Sequence, residues 1–590
     1  MITPPTTSPE VASDSTSPPR HGQLAPLAWS LLAAVPFLLF PLIHFERWAS
    51  EATGFTTYDL PYYVANARAI LDRGHAGLYP NPFDPDPAAP VIYVHWLMNV
   101  LATLIGPLGL SPGHALLLIQ AIGAIASARV MYALVAWLLP ASRWRTPLYL
   151  LTMWSGGVLV LGRLVANLFT GLAWNTNLLA FDPGQGLWCL NFGRNLILPT
   201  EAIYHALMLA LWLSILKGQW TRAAFFLLAI TTTHPFTGAQ ALAIVGAYGG
   251  VQAFASLTSP PPPTRRRATR EGEAPAEPHT PPASASTPGL PPLSFIITYF
   301  FIAAAFVAYY FVFLPRFPQH REIQHTWTLG WTLSGPTILV AYAPVALLAW
   351  LAIRDNSAWR RHVRFLLIAA GVSFLLANHQ WFITPRQPIH FTRGYIWTPL
   401  FLIGLPTLAS LFDRLFNTAP TPLPSGERAG VRGDRSNTPP KAIGFLAIAL
   451  LFALALSDNA AFLLINATSP TPPGFNLTAD EQAVFHDLNT KHLTGVLLTD
   501  DDRLGYLAAA MTSARPWLGH KYNTPKFDDR QTRLAAFKST TAAGDLLEEV
   551  DLALTADPRV TRRLHDNDWQ KLSTQGDLQL WQKPQHNPTP

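Results

Sequence analysis

Residues 113–139 read GHALLLIQAIGAIASARVMYALVAWLL, an apolar run holding a single formal charge, Arg129. At about 1.5 Å per residue, a helix of this length crosses a hydrocarbon core of about 30 Å. Comparable runs flank it at Leu24–His44, Val91–Leu110, Thr146–Leu168, Thr200–Leu216, Ala239–Leu257, Leu293–Leu314, Thr337–Ile353, Phe365–Leu376, Trp397–Leu411 and Ala442–Ile465. Ala223–Thr233, ahead of His234-Pro235, is a further short segment that reads as half of a broken pair. The pattern predicts a mostly α-helical, polytopic membrane bundle of eleven to thirteen spans.

Composition agrees. The chain is 49% hydrophobic and 13% charged, against about 25% charged in an ordinary soluble domain. Its 19 Trp and 33 Phe suit lipid-facing and interfacial belts. The net charge of +6 is spread over short loops, unlike the clustered, aromatic-laced face of a nucleic-acid binder. Cys189 is the sole cysteine, which excludes an intramolecular disulfide and a Cys-based metal or redox site. Residues 1–23 are polar and rich in Pro, Ser and Thr, and are expected to be disordered. The first run ends at FPLIHFERW without a small-residue cleavage site, so it reads as an uncleaved span.

Orientation follows the Arg and Lys of the loops. Arg143–Arg145, Lys217–Arg222, Arg265–Arg270, Arg354–Arg364 and Arg428–Lys441 read as cytoplasmic. Asp59–Asp86, Asn175–Glu201 and the tail after Ser469 read as external. Three runs precede Arg143, yet a cytoplasmic N-terminus requires an even number there. Either Val91–Leu110 does not cross, or the Arg143 cluster is external and a later segment is split. Ser259–Pro292 and Asn417–Lys441 are Pro-rich and charged, too polar to pack, and read as disordered cytoplasmic linkers. The expected organisation is a tail at 1–23, a membrane domain at 24–466 with an external loop at 45–90, and an external α/β domain at 467–590. In that last region ADEQAVFHDLN, DDRLGYLAAAM and DDRQTRLAAFKS read as helices, and TGVLLTD, VDLALTA and LQLWQK as strands.

The first external loop carries the most information. Asp59 stands before Leu60-Pro61, which fits an N-cap with proline in the first turn. The helix that follows, about Leu60–Arg73, is amphipathic, suited to the membrane surface. An acidic residue directly after the first span, an interfacial helix and a Tyr-Pro turn before the next run resemble the GT-C superfamily of polyprenyl-phosphate-sugar-dependent membrane glycosyltransferases. The residues that carry the likeness are Tyr58-Asp59, Tyr62-Tyr63, Ala67-Arg68-Ala69, Leu71, Gly74 and Leu78-Tyr79-Pro80. They are most similar to the bacterial polyprenol-phosphate-mannose-dependent mannosyltransferases, although the Tyr-Pro-Pro turn of that branch is missing. The resemblance implies a GT-C-like bundle in a bacterial cytoplasmic membrane and inverting hexosyl or pentosyl transfer. It also implies a polyprenyl-phosphate-linked donor, a glycan, lipid or protein acceptor, and Asp59 as the catalytic carboxylate with Tyr62 and Tyr63 as substrate contacts. As general base, Asp59 would take the proton of an attacking hydroxyl. The competing expectation is that Asp59 only caps its helix.

Two later loops supply candidate partners. ANHQWFITPRQPIHFTRGYIW, from Ala377, sets Arg386, His390 and Arg393 within eight residues. Arginine suits a leaving phosphate because its fork reaches two oxygens. In AWNTNLLAFDPGQGLWCLNFGRNLILPTE, from Ala173, Asp182, Arg194 and Glu201 are candidates for an acceptor groove, with Trp174 and Trp188 as sugar-stacking surfaces. Trp517, His520 and Tyr522 in the tail are further candidate contacts. Asp500-Asp501-Asp502 follows a strand and opens a helix, where carboxylates favour the dipole, so it reads as a cap. No spaced metal-ligand set is present and no cofactor is expected, though a divalent metal is left open by the sequence. The rival readings are a transporter or flippase of lipid-linked glycans, whose internal repeats with broken helices are not seen here, and a non-catalytic membrane protein that presents its tail.

Overall fold

The computed structural model of the chain describes residues 21–48, 51–188, 190–258, 291–326, 330–355, 360–416, 441–470, 474–539 and 544–584. Nearly all of the N-terminal tail and both Pro-rich linkers lie outside the described residues. Among the described residues, eight helices are long and apolar enough to cross a membrane. They are Ala25–Arg47, Pro112–Leu138, Pro199–Leu216, Pro235–Thr258, Leu293–Arg316, Gly335–Arg354, Trp397–Phe416 and Gly444–Thr468. A ninth crossing is a pair, Arg145–Trp154 and Leu159–Thr170, bent by 58°.

Three apolar helices are shorter, and packing separates them. Trp220–Thr231 begins against Phe295, with Trp220 and Phe295 rings 5.0 Å apart. It ends where His234 stacks on Tyr204 at 4.8 Å, so it runs antiparallel to the helix before it. Its packing thus sets it against the helix before it, running back toward the face that Pro199–Leu216 left. Arg360–Ala377 starts beside the end of the Pro112–Leu138 helix, where Trp137 meets His362 at 4.3 Å. It finishes beside the start of Pro235–Thr258, where Gln240 donates to Ser373 at 2.8 Å. By length and composition the described crossings number eight, or nine with the bent pair, and these two shorter helices, whose packed ends lie toward opposite faces, would bring them to eleven. Trp96–Ile105, at ten residues, reaches only about half of the hydrocarbon core. The run Val91–Leu110 is thus corrected: Tyr93–Val94 is a strand paired with Leu78–Tyr79, and the short helix lies against Asp59–Arg73. This removes the parity conflict before Arg143.

The bend in the paired crossing has a chemical support. Breaking a helix at membrane depth frees backbone groups that lipid cannot satisfy. Asp458 of the last span accepts the N–H groups of Leu159 and Val160, each at 2.8 Å. Next to it, Asn459 donates to the Trp154 carbonyl at 2.9 Å. On the basic face, Arg143 pairs with Asp413 at 2.8 Å.

On the opposite face the first loop and the tail are built together. Ala52–Phe55 pairs antiparallel with Phe475–Asn476. Gly474, at φ +79°, makes the approach possible, since a Cβ there would lie 1.8 Å from the Phe55 carbonyl oxygen. The tail is a five-stranded sheet in the order 514–516, 495–499, 552–555, 578–582, 570–575, the first three strands parallel and the last two antiparallel. Helices Ala479–Thr490, Asp502–Met511, Phe527–Ser539 and Pro558–Asp566 flank it. The cap expected at Asp500–Asp502 is Asp501, which accepts from Leu504 N at 2.7 Å. One core runs through both parts: Phe55, Leu60, Val64, Leu97 and Leu101 pack with Leu497, Leu504, Leu507 and Leu554.

Candidate active site

The helix that carries Asp59 starts one residue earlier than a capped helix would. Tyr58 already has helical angles, φ −58° and ψ −34°, and no side chain caps the turn. The capping expectation for Asp59 is therefore corrected: its carboxylate is not spent on the helix, and no described residue hydrogen-bonds to it. Asp59 is exposed at the N-terminal end of its helix. Desolvation by nearby protein raises its pKa from the ordinary carboxylate value, and the charge of Arg393 opposes the rise.

Arg393 comes from the loop between the Arg360–Ala377 and Trp397–Phe416 crossings. It is buried at 4% exposure and ion-paired with Glu201. Glu201 sits in the first turn of Pro199–Leu216 and also accepts from the Thr200 hydroxyl at 2.6 Å. The Arg393 backbone has φ +22°, where side chains other than glycine rarely sit. It is held there by His205, whose two ring nitrogens lie 2.8 Å from the carbonyls of Glu201 and Arg393. Arg393 also donates to Nδ1 of His390 at 3.0 Å and lies over the Trp188 ring at 5.7 Å. Its Nε–H is buried without an acceptor among the described residues.

His390 is fixed as the acceptor in that bond. Burial lowers its pKa to about 3, so at neutral pH it is uncharged. It orients Arg393 and is not the second cation that its place in the sequence suggested. It packs edge-on to Trp188 at 4.7 Å and stacks on Phe236 at 4.7 Å. His234 lies 6.0 Å away, its Nδ1 accepting from Thr237 N at 3.2 Å. Tyr63 is buried and feels both Asp59 and Arg393; burial and the Asp59 charge push its pKa up to about 12.

The other candidates separate from this cluster. Asp182 and Arg194 form a buried ion pair with each other, and Arg194 donates to Asn459 at 3.0 Å and to the Gly186 carbonyl at 3.2 Å. They tie the Ala173–Glu201 loop to the last span beside the bent crossing, not to the Arg393 network. Arg386 is exposed and its side chain joins no part of the Arg393 network. Tyr62 stands with Tyr58, Phe83 and His520 in an aromatic group. Trp174 is 62% exposed. Trp517 is buried under its own sheet, its indole N–H donating to Glu549 at 2.8 Å. Tyr204, Tyr506 and Thr200 are the near neighbours that sequence reading passed over. Nothing in their local sequence marks them, because each is placed by packing between distant segments.

The desolvated carboxyl sets a pH expectation. Were Asp59 a general base it would work only when ionised, and its folded-state pKa is raised. The acid limb of kcat/KM should therefore lie above the usual carboxylate range and vanish from the residual rate of Asp59→Asn. Arg393→Gln, by removing the opposing charge, should move that limb to higher pH still. A limb at the ordinary carboxylate position in the wild-type protein would contradict the raised pKa of Asp59.

No family model matches the chain, and no curated protein matches it. Among solved structures it is similar to the oligosaccharyltransferase AglB from Archaeoglobus fulgidus, in complex with an inhibitory peptide and a dolichol-phosphate, at 11% identity and TM-score 0.42, over 90% of this chain and 69% of that one. It is also similar to ArnT from Cupriavidus metallidurans bound to undecaprenyl phosphate, at 12% identity and TM-score 0.44, over 93% of this chain and 99% of that one.

Proposed function

We propose that the chain is a glycosyltransferase that moves a sugar from a polyprenyl-phosphate donor to an acceptor hydroxyl on the external side of the membrane, with inversion. The observation that supports this reading is the electrostatic pairing of Asp59 with Arg393. Asp59, whose carboxyl takes no hydrogen bond among the described residues, feels the charge of a guanidinium held by Glu201 and His390, while His205 holds the Arg393 backbone carbonyl. In the reaction the acceptor oxygen forms a bond to the anomeric carbon as the bond from that carbon to the phosphate oxygen breaks. The acceptor proton passes to Asp59. The leaving polyprenyl phosphate carries the electron pair away as an anion, and the charge of Arg393 is proposed to stabilise it. The acceptor is a glycan, a lipid or a protein. Tyr62 and Tyr63, beside Asp59 in sequence, are proposed to contact the sugar.

The direct test incubates the purified protein in nanodiscs with a panel of synthetic polyprenyl-phosphate sugars and follows release of polyprenyl phosphate. Release by the wild-type protein and none by Asp59→Asn is expected. Translocation of a lipid-linked glycan across vesicles, without release, would favour the flippase reading instead.

The same reading places the tail outside a bacterial cytoplasmic membrane. Protease added to intact spheroplasts should cleave within the tail. A tail that resists until the membrane is opened, with cleavage at basic loops such as Arg143–Arg145 instead, would reverse the orientation.

A further inference from the structure

In most helices here the first turn closes on itself: Ala115 N donates to the Ser111 carbonyl at 2.9 Å, and Ala202 N to the Leu198 carbonyl at 2.9 Å. The helix that begins at Asp59 is different. Tyr62 N donates to the hydroxyl of Tyr506 at 3.0 Å, and that hydroxyl donates onward to the Tyr58 carbonyl at 2.5 Å. A phenol from the C-terminal domain, 444 residues along the chain, is thus inserted into the first rung of the ladder. Pro61, inside the same turn, has no N–H to offer. The turn that presents Asp59 is therefore held open by a group from another domain.

The inserted residue is itself rigidly placed. Tyr506 is 1% exposed, on the Asp502–Met511 helix, whose start Asp501 caps. Its ring is enclosed by Tyr58 at 5.2 Å, Phe83 at 5.5 Å, Phe475 at 5.6 Å and His520 at 5.0 Å. His520 is in turn fixed by accepting from Tyr522 N at 3.1 Å and facing Asn523 Nδ2 at 2.9 Å. The hydroxyl has little freedom to leave the turn while the domain is docked.

We infer that Tyr506 is a positioning residue: through its relayed hydrogen bond the C-terminal domain sets the direction of the Asp59 carboxylate, so docking of that domain is a condition of transfer and not only an anchor. This rests on Asp59 being the base. Tyr506→Phe keeps the ring and removes the relay, and lets Tyr62 N bond directly to the Tyr58 carbonyl. A misplaced base acts on the chemical step, since a shift on the order of 1 Å costs about 100-fold.

The test uses the full chain in nanodiscs. Tyr506→Phe should lower kcat by roughly 10- to 100-fold with donor KM within about twofold, and should leave near-wild-type melting. In the Asp59→Asn background the same change should cost nothing more, because two residues acting through one group are not additive. Wild-type kcat in Tyr506→Phe alongside an inactive Asp59→Asn would overturn this inference and leave the general-base reading standing. An active Asp59→Asn would overturn both. Equal losses from Tyr506→Phe with and without Asp59 would reduce Tyr506 to a structural part. If Tyr506→Phe does not fold, a ring-fluorinated tyrosine at 506, nearly isosteric but a weaker acceptor, should show an intermediate kcat at unchanged KM, and an unchanged kcat there would equally overturn the inference.

Discussion

Asp59→Asn is expected to lower turnover by at least about 100-fold, the lower end of what general-base catalysis contributes, while the protein inserts and folds as before. The structure sharpens this expectation. The carboxylate caps nothing and accepts no described hydrogen bond, so the amide removes basicity and little else. The sign of the stability effect also follows. A carboxyl whose folded pKa is raised contributes most to stability below its unfolded pKa, and loses that contribution as pH rises through the folded value. Folding disfavours the charged form relative to the unfolded chain. Asparagine should leave the melting temperature equal to or above that of the wild type at pH 7, with the difference closing as the buffer is acidified. Near-wild-type turnover in the variant would end the catalytic assignment. Lost turnover together with a clearly lowered melting temperature would show that Asp59 has a structural role that the geometry does not reveal.

Arg393→Met should cost both activity and stability, and the two can be separated. Arg393 and Glu201 are a buried pair, with side-chain exposures of 5% and 4%. Removing one partner of such a pair typically costs about 3–5 kcal/mol, because the other charge is left buried alone. Thr200 would remain as a donor to Glu201, but a hydroxyl does not neutralise a carboxylate. The double variant Arg393→Met with Glu201→Gln replaces both charges with neutral groups, and replacement of a whole buried pair is often close to neutral. The double variant should therefore recover most of the lost stability and none of the transfer activity. Recovery of activity with stability would mean that Arg393 serves the fold alone. A single variant as stable as the wild type would mean that the pair is not formed in the membrane.

What could be read in advance divides along physical lines. The membrane bundle was legible because hydrocarbon imposes one requirement, length of apolar helix, and the sequence meets it repeatedly. Which runs cross was less legible. Val91–Leu110 has the composition of a span, but its first residues pair as a strand with Leu78–Tyr79 and its helix stops before Gly106-Pro107. Thr146–Leu168 reads as one run, and Ser155-Gly156-Gly157 bends it. Asp59 could be singled out by its place after the first span. Its freedom from capping could not, because that depends on Tyr58 adopting helical angles under the hold of Tyr506. Arg393 was visible as an external arginine, while its partner Glu201 lies 192 positions earlier. Asp182 and Arg194 looked like groove residues because charged groups in an aromatic loop invite that reading. Their bond to each other and to the last span is a long-range fact that no local pattern encodes.

The strand pairing between Ala52–Phe55 and Phe475–Asn476 bears on how the molecule is made. Thr53 donates to the Phe475 carbonyl at 2.5 Å, across 422 positions. A ribosome adding roughly 5–20 residues per second needs on the order of 20–80 s to deliver the second strand after the first. Throughout that interval the first strand has an open edge, and the apolar side of the Asp59 helix lacks the Leu504 and Leu507 that cover it when the chain is complete. A nascent chain that has reached residue 470 already holds Asp59, Glu201, His390 and Arg393, but not the piece that closes the turn around Asp59. Competence for transfer would then arrive last in synthesis, and chains stalled before residue 475 would display an uncovered strand that quality-control proteases and chaperones can recognise.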